Sequence, residues 1–433
     1  MKSLLIITYY WPPASSPGVY RFLKFCKYLP DFGWRPVVLT VRNGSYPAYD
    51  PSLLKEIPEG LKVYKTPTIE PFALFNRLSG KKGKSVPVEI TPSKTNTSLL
   101  NRLMFWIRAN WFIPDARIGW KWFAVNAAIK IIQSEKIDAV ISTGPPHSTH
   151  LTGLALKKKT GIPWIADFRD PWTNIFYNEH FPRTPRTIEK DKKLEDTVAA
   201  TADAVVVISN GLNKEFRERA RRIETIHNGF DTIDMPCRTN EKTPRFVMTY
   251  IGNMPANRNI PMVWQALAEL KNELKNFSKN FTLMLIGSID QTAIDDLQAA
   301  GIGDIINIRS YIPHDEAVRI MSNTNMLYFM INQAKNNSLI ITGKLFEYLA
   351  SCAPMVSVGP ADGDAAKLIE EAGREKMIEY SNKDGFKSVV SRYYNQWMQT
   401  RQLEVLPCTR LEQFSRKELT KKLATLLDSL VSK

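Results

Sequence analysis

The feature that most constrains this chain is a pattern that runs through its first half and then starts again. Short apolar runs alternate with longer amphipathic segments. An apolar run bounded by turn residues reads as a strand buried on both faces, and helices between such strands give a mostly parallel sheet. In the first half, strands are expected over 4–8, 36–41, 61–65, 137–142, 164–168, 204–208 and 224–227. The second half restarts with 246–251 and continues through 281–286, 305–308, 326–330, 354–358 and 377–379. The first helix, about 19–30, sets Phe22, Cys26 and Leu29 on one face and stops near Gly33. Asp231 to Pro244, rich in Thr, Pro and charge, separates the halves. With 433 residues, 44% of them hydrophobic, two cores are more natural than one. The expected division is therefore 1–232, 245–405, and a C-terminal helix within 406–433 that packs back on the first domain.

Charge and cysteine usage narrow the function. Lys and Arg outnumber Asp and Glu 58 to 43, a net charge of +15, which favours anionic partners without choosing among them. Cys26, Cys237, Cys352 and Cys408 lie far apart with no C-x-x-C pair, so neither a disulfide framework nor a zinc site is indicated, and a reducing cytoplasm fits. The apolar stretch after Lys2 is too short for a signal-peptide core, and no run approaches a membrane span.

Two doubly wound domains place ligands at the loops beyond the carboxyl ends of their strands. Polar motifs fall there. Ser142-Thr143-Gly144-Pro145-Pro146-His147-Ser148-Thr149-His150 leaves one strand for a helix, and Asp167-Phe168-Arg169-Asp170-Pro171-Trp172 ends the next. Tyr250 to Asn259 leaves the first strand of the second half, where Gly252 lets backbone amides approach a phosphate and Arg258 can neutralise it. Thr342-Gly343-Lys344-Leu345-Phe346-Glu347 opens an amphipathic helix with Lys344 and Glu347 on one face, a pair able to hold a phosphate and a hydroxylated ring together. Taken alone, that pair could equally be a solvated helix contact worth a few tenths of a kcal/mol.

Other motifs are weaker than they look. Gly83-Lys84-Ser85 imitates the end of a P-loop, but Leu78 stands where its first glycine belongs; Gly301-Ile302-Gly303 follows a helix and reads as a helix stop. Asp362-Gly363-Asp364 reads as a helix cap and first-turn acid rather than a metal motif. His147 and His150 have no third ligand at metal spacing, and His150 reads equally well as a helix-surface residue. The stretch 99–124 mixes Trp106, Trp111, Trp120 and Trp122 with Arg102, Arg108, Arg117 and Lys121. With Arg77, Lys81, Lys82 and Lys84 upstream, it suits an anionic membrane surface; packing in a core or cleft wall is the plain alternative.

Taken together, Tyr10-Trp11-Pro12-Pro13 with Gly18, Pro145-Pro146-His147, His227-Asn228-Gly229-Phe230-Asp231, the Gly252 loop, Leu285-Ile286-Gly287-Ser288 and Gly343 to Ala350 resemble the GT-B fold glycosyltransferases, specifically family 4. The order and spacing of these motifs carry the resemblance over nearly the whole chain. It implies an α/β fold of two Rossmann-like, doubly wound domains facing across a cleft, and a retaining transferase acting in cell-envelope glycan synthesis. It further implies that Glu347 accepts hydrogen bonds from the nucleotide ribose, that Lys344 and Arg258 meet the donor diphosphate with Gly252, Asn253 and Leu345 beside them, and that His147 stands near the donor sugar. Gly18, His150, Arg169 and Asp170 are expected on the acceptor side. Two positions depart from the family pattern: the first Glu of its E-x7-E motif falls at Leu339, and Asn253 replaces a basic residue. The expected partners are a nucleotide-sugar donor, a glycan or lipid-linked acceptor and an anionic membrane on its cytoplasmic face, with no metal, no cofactor and no nucleic acid. A GT-B-fold sugar-nucleotide 2-epimerase is the alternative enzyme, and a nucleic-acid binder ranks last because no RNA or DNA module is recognisable.

Overall fold

The computed structural model describes all residues except 47, 71–98, 176, 177, 180, 233, 234, 236, 237, 408–410 and 433. The basic residues expected upstream of the aromatic stretch, and the P-loop imitation, lie outside the described residues. The chain divides into one unit of residues 1–228 with 416–433 and another of 229–415.

In the first unit, β1 (Lys2–Ile7), β2 (Trp34–Val41), β3 (Lys62–Thr66), β4 (Ala139–Gly144), β5 (Trp164–Phe168), β6 (Ala204–Val207) and β7 (Ile223–Thr225) form one parallel sheet. Its order is β3-β2-β1-β4-β5-β6-β7. Leu4, Leu5, Ile6 and Ile7 are fully buried at its centre, because helices cover both faces of the sheet and leave no wet side for alternation. Leu4 lies beside Pro36 on one neighbour and Ala139 on the other. The chain builds outward from β1 through β3, then returns to β4 on the opposite side of β1. Where the order reverses, connections leave in two directions and a crevice opens at the carboxyl ends of β1 and β4.

The second unit repeats this construction with β8 (Phe246–Ile251), β9 (Phe281–Ile286), β10 (Ile306–Arg309), β11 (Met326–Met330) and β12 (Met355–Val358) in the order β10-β9-β8-β11-β12. Its reversal falls between β8 and β11. The segment 377–379 is not a strand: Ile378 makes a single bridge to Val358. Gly373, with φ 69, has just ended one helix, and Asn382 caps the next by accepting the Gly385 amide at 2.9 Å, so too few residues remain to extend the pairing.

The first helix runs Pro17–Tyr28, followed by a 3-10 turn that Gly33 ends at φ 79. Residues 229–244 go with the second unit, where Leu403 donates to the Glu241 carbonyl at 2.8 Å, rather than standing apart as a linker. The last helix, Arg416–Val431, belongs to the first unit: Asp428 receives Lys2 Nζ at 2.8 Å and Trp34 Nε1 at 3.2 Å. Cys26 is a free, buried thiol, whereas Cys352 is disulfide-bonded, which the wide spacing of the cysteines in sequence did not suggest.

Candidate active site

Each unit gathers polar residues at its own reversal point. In the second unit the loop after β8 is shaped by two glycines. Gly252 adopts φ 150 and Gly287 φ 128, and a methyl group on Gly287 would lie 2.3 Å from the Gly252 carbonyl oxygen. Only glycine permits that approach. The loop is held by the Gly252 amide donating to the Ile286 carbonyl at 2.8 Å and by the Tyr250 hydroxyl donating to the Asn253 carbonyl at 2.8 Å. Arg258 Nη1 donates to the same carbonyl at 3.0 Å. Burial pushes the Tyr250 hydroxyl up, with Arg258 opposing it.

The helix Gly343–Ala350 reaches this loop because Tyr348, buried at 1% exposure, accepts a hydrogen bond from the Ile251 amide at 2.8 Å. Its apolar face sinks Leu345, Phe346 and Leu349 into the core. Lys344 and Glu347 then stand on the outer face, 3.7 Å apart and half-buried. The Lys344 Cε lies 3.9 Å from where a Gly252 side chain would begin. Gly252, Asn253, Arg258, Lys344 and Glu347 are therefore neighbours around one loop and one helix start. Leu345 contributes its side chain to the core, and its amide donates to the Thr342 carbonyl. Leu339 sits in the short 3-10 turn Asn337–Leu339.

The first-unit cluster is more deeply buried. Asp167, next to last in β5, has both oxygens engaged, one by Arg21 Nη2 at 2.9 Å and the other by Thr143 Oγ1 at 2.7 Å. Thr143 in turn accepts Arg169 Nε at 3.0 Å, and Arg169 Nη2 donates to the Pro145 carbonyl. A methyl group on Gly18 would lie 1.7 Å from Arg169 Nη1, so the glycine is what admits the guanidinium there. Asp170 adds negative potential beside Arg169.

His147 precedes the helix Ser148–Thr160, whose first amide and hydroxyl are bound by Asp115, each at 2.8 Å. Its ring stacks on Trp172 at 5.1 Å and 7°. Trp172 is fixed by Nε1 donating to Asp191 at 2.8 Å, and Asp191 pairs with Arg183 at 2.8 Å. Burial, joined by Arg169, holds His147 down to about 4 against Asp115, Glu195 and the Pro171 backbone, so the ring is neutral at ordinary pH. Burial conversely pushes Asp191 up to about 6 against Arg183. His150 is not a helix-surface residue: it is fully buried, its Nδ1 is 3.0 Å from Ser142 Oγ, and it stacks on Phe168 at 4.4 Å.

Sequence reasoning brought together residues that the fold does assemble within each unit, but it assigned no part to Arg21, Thr143, Asp191 or Tyr348. The signal for Asp167 was a carboxylate inside the apolar run Trp164–Phe168, which a buried strand tolerates only when it is paired; Arg21, in a helix that also carries Lys24 and Lys27, gave no comparable signal. Asp364 lies in the first turn of the helix Asp364–Glu371, behind Gly363 at its cap. Among the described residues no group of three His, Cys, Asp or Glu could hold a metal ion.

Two units of this topology, each with its polar cluster at a reversal point, define the GT-B class. Residues 88–233 match the model of Glycosyltransferase Family 4, about a third of the chain. The chain thus carries a stretch that matches a family 4 glycosyltransferase domain within a fold of the GT-B type. No curated protein matches it. Among solved structures it is similar to sucrose-phosphate synthase from Thermosynechococcus elongatus, with TM-score 0.64 and 12% identity over 100% of both chains. It is also similar to S. aureus TarM in complex with UDP and alpha-GlcNAc-glycerol, with TM-score 0.59 and 11% identity over 99% of this chain and 100% of that one. WaaG, a glycosyltransferase involved in lipopolysaccharide biosynthesis, gives TM-score 0.55 and 12% identity over 98% and 99%. At these identities the likenesses speak for the fold.

Proposed function

We propose that this glycosyltransferase moves a sugar from a nucleoside-diphosphate donor to a glycan or lipid-linked acceptor in cell-envelope polysaccharide synthesis, with retention at the anomeric carbon. The observation that carries the donor reading is the meeting of Gly252, Arg258, Lys344 and Glu347 around one loop at the carboxyl end of β8. Glu347 accepts the ribose hydroxyls. Arg258, Lys344 and the amides opening the 343–350 helix take up the charge that grows on the departing diphosphate. Stabilising that leaving group is the main catalytic task; it lets the phosphate oxygen assist deprotonation of the acceptor on the face it leaves, without a protein nucleophile or a metal. His147, neutral and stacked on Trp172, is the first-unit group beside the donor sugar; Gly18, Arg169 and Asp170 form the acceptor side, with His150 behind them.

Calorimetry with UDP, GDP, CMP and ADP tests the reading. One nucleotide should bind, and Glu347→Ala should weaken it by about 1.5 to 3 kcal/mol through loss of a charged acceptor. Unchanged affinity in a folded variant removes Glu347 from the site. Donor consumption without any acceptor would favour the epimerase instead.

The working place follows from a second observation. No described helix is long and apolar enough to cross a membrane. Yet the helix Leu99–Trp111 exposes Leu103, Trp106 and Trp111 within one arc, and Trp122 begins the next helix at 74% exposure with Lys121 Nζ 6.0 Å from its ring. Trp120, by contrast, packs in the core with its indole donating to Thr66 at 2.8 Å. Exposed tryptophans beside cations suit an anionic membrane surface, here the inner face of the cytoplasmic membrane. Flotation with anionic liposomes should occur at low salt, weaken at high salt, and weaken again when Lys81, Lys82 and Lys84 are changed to Glu or the three exposed tryptophans to Ala. A protein that stays off anionic liposomes at low salt contradicts the assignment.

A further inference from the structure

A cavity of about 270 Å³ lies in the second unit, at the end of the sheet opposite the Gly252 loop. Phe246 opens β8, Asn325 and Pro354 immediately precede β11 and β12, and all three line it. The helix Lys383–Thr400 supplies Tyr393, Gln396 and Trp397, and the segment after it Gln402 and Glu404. Because β8 has six residues, at roughly 3.3 Å each, the cavity stands about 20 Å from the donor loop. One sugar ring cannot serve both places.

The floor of the cavity is locked. Asn325 Nδ2 donates to Thr243 Oγ1 at 3.1 Å while its Oδ1 accepts the Val247 amide at 2.9 Å, and Trp397 Nε1 donates to the same Thr243 hydroxyl at 2.8 Å. The rim is not locked. Asn240, Gln396 and Gln402 are exposed, and their side-chain amides make no hydrogen bond among the described residues. Glu404 Oε2 is buried without a hydrogen-bond partner. Half-buried Tyr393 and Val405, 41% exposed, add apolar surface.

Charge narrows the occupant. Among the described residues lining the cavity, Glu404 alone is charged. Arg238, whose Nε donates to the Glu404 carbonyl at 2.6 Å, opposes that charge, as does Arg392, which pairs with Glu375; neither lines the cavity. An anion would meet a carboxylate and no lining cation, and a cation would meet a carboxylate already answered. A neutral ligand with adjacent hydroxyls fits the groups that remain. Each side-chain amide offers donors and an acceptor in one plane, matching neighbouring hydroxyls, and a carboxylate oxygen accepts a hydroxyl more strongly than a neutral group does. Tyr393 and Val405 can cover the C–H face of a ring. The volume is at the small end of ligand pockets, which run from roughly 300 Å³ upward.

We propose that this cavity binds one uncharged sugar unit of the glycan that the enzyme extends, as an accessory carbohydrate site apart from the donor loop. The inference rests on the reading of the acceptor as a glycan. The exposed rim lets the chain continue into solvent on either side of the held unit, and a second point of attachment keeps a long acceptor on the enzyme between transfers.

Hydrogen exchange of the full chain with the methyl glycosides of glucose, galactose, mannose, rhamnose and N-acetylglucosamine tests this. At least one glycoside should protect peptides covering 240–246 and 393–405 and leave 252–258 and 343–347 unchanged. Inorganic phosphate and methylammonium should leave 393–405 unprotected. The Gln396→Ala, Gln402→Ala double variant removes exposed side chains that hold nothing else in place, and should weaken glycoside binding about tenfold. A trisaccharide of the same sugar should bind at least as tightly as its glycoside. Protection by none of the glycosides, protection by phosphate or methylammonium alone, or protection undiminished in the double variant overturns the proposal; a trisaccharide that is shut out overturns the glycan assignment. The donor reading is tested separately by nucleotide binding to wild type and Glu347→Ala, so sugar protection at 393–405 without nucleotide binding fails that reading alone.

Discussion

The two units share a strand order that reverses beside the first strand, with two more strands in the first unit, and differ in how they hold their polar residues. In the first, Arg21, Asp167, Thr143 and Arg169 form a chain of buried hydrogen bonds, and His147 is clamped through Trp172 to Asp191. In the second, Lys344 and Glu347 meet at 3.7 Å with side chains 38% and 20% exposed, and Arg258 is held by the Asn253 carbonyl and the Tyr250 hydroxyl. One cluster is an integral part of its fold; the other is lightly tethered and free to reorganise around an anion. Mutations in the first should therefore register mainly as stability, and in the second mainly as ligand affinity.

The comparison breaks most visibly at Asp167. Asp167→Asn would leave the Arg21 guanidinium, 1% exposed, without its charge partner, and should cost about 3–5 kcal/mol in denaturant unfolding. A loss below about 1 kcal/mol would show the chain of bonds to be slack.

His147 offers the next largest effect, read as pH dependence. Its pKa is lowered from 6.5 to about 4, so between those values the unfolded chain binds a proton that the folded one refuses. The stability it contributes is complete above 6.5 and is lost as pH falls toward 4, about 1.4 kcal/mol per pH unit. The stability difference between wild type and His147→Phe, which keeps a ring against Trp172, should follow that slope. Asp191, raised from 3.8 to about 6, has the opposite sign: its stabilisation is present at low pH and lost as pH rises through about 6. Asp191→Asn should remove that component, and a flat difference curve would locate the charge elsewhere.

Gly287→Ala should cost about 2 kcal/mol, because alanine at φ 128 is strained and its methyl group meets the Gly252 carbonyl. Donor affinity should fall with it, as the Gly252 loop shifts. The smallest stability effect belongs to Lys344→Ala, under about 0.5 kcal/mol for a half-exposed pair, although the same variant should slow sugar transfer more than it weakens binding of the bare nucleoside. Equal loss for nucleoside and diphosphate would contradict its role on the leaving group.

Much of the fold was legible because buried parallel strands leave an apolar signature. The runs 164–168, 246–251, 281–286 and 326–330 coincide with β5, β8, β9 and β11. The run 377–379 failed the same test, since strand length there is set by a helix cap that pattern alone does not weigh. The aromatic stretch was legible as composition only: Trp120, in a 3-10 turn, went to the core with its indole on Thr66, while Trp106, Trp111 and Trp122 stayed outside.

By itself, then, the sequence determined the two α/β units, their strand positions, and the residue types at the strand ends, because hydrophobic periodicity and glycine placement are local properties. Tertiary structure decided which of those ends are adjacent. It brought Arg21 to Asp167 across 146 positions, and the Tyr348 hydroxyl to the Ile251 amide across 97. It also buried His147 until its ring could no longer carry a proton near neutral pH. Burial and long-range pairing depend on the whole packed arrangement, and no short window of sequence contains them.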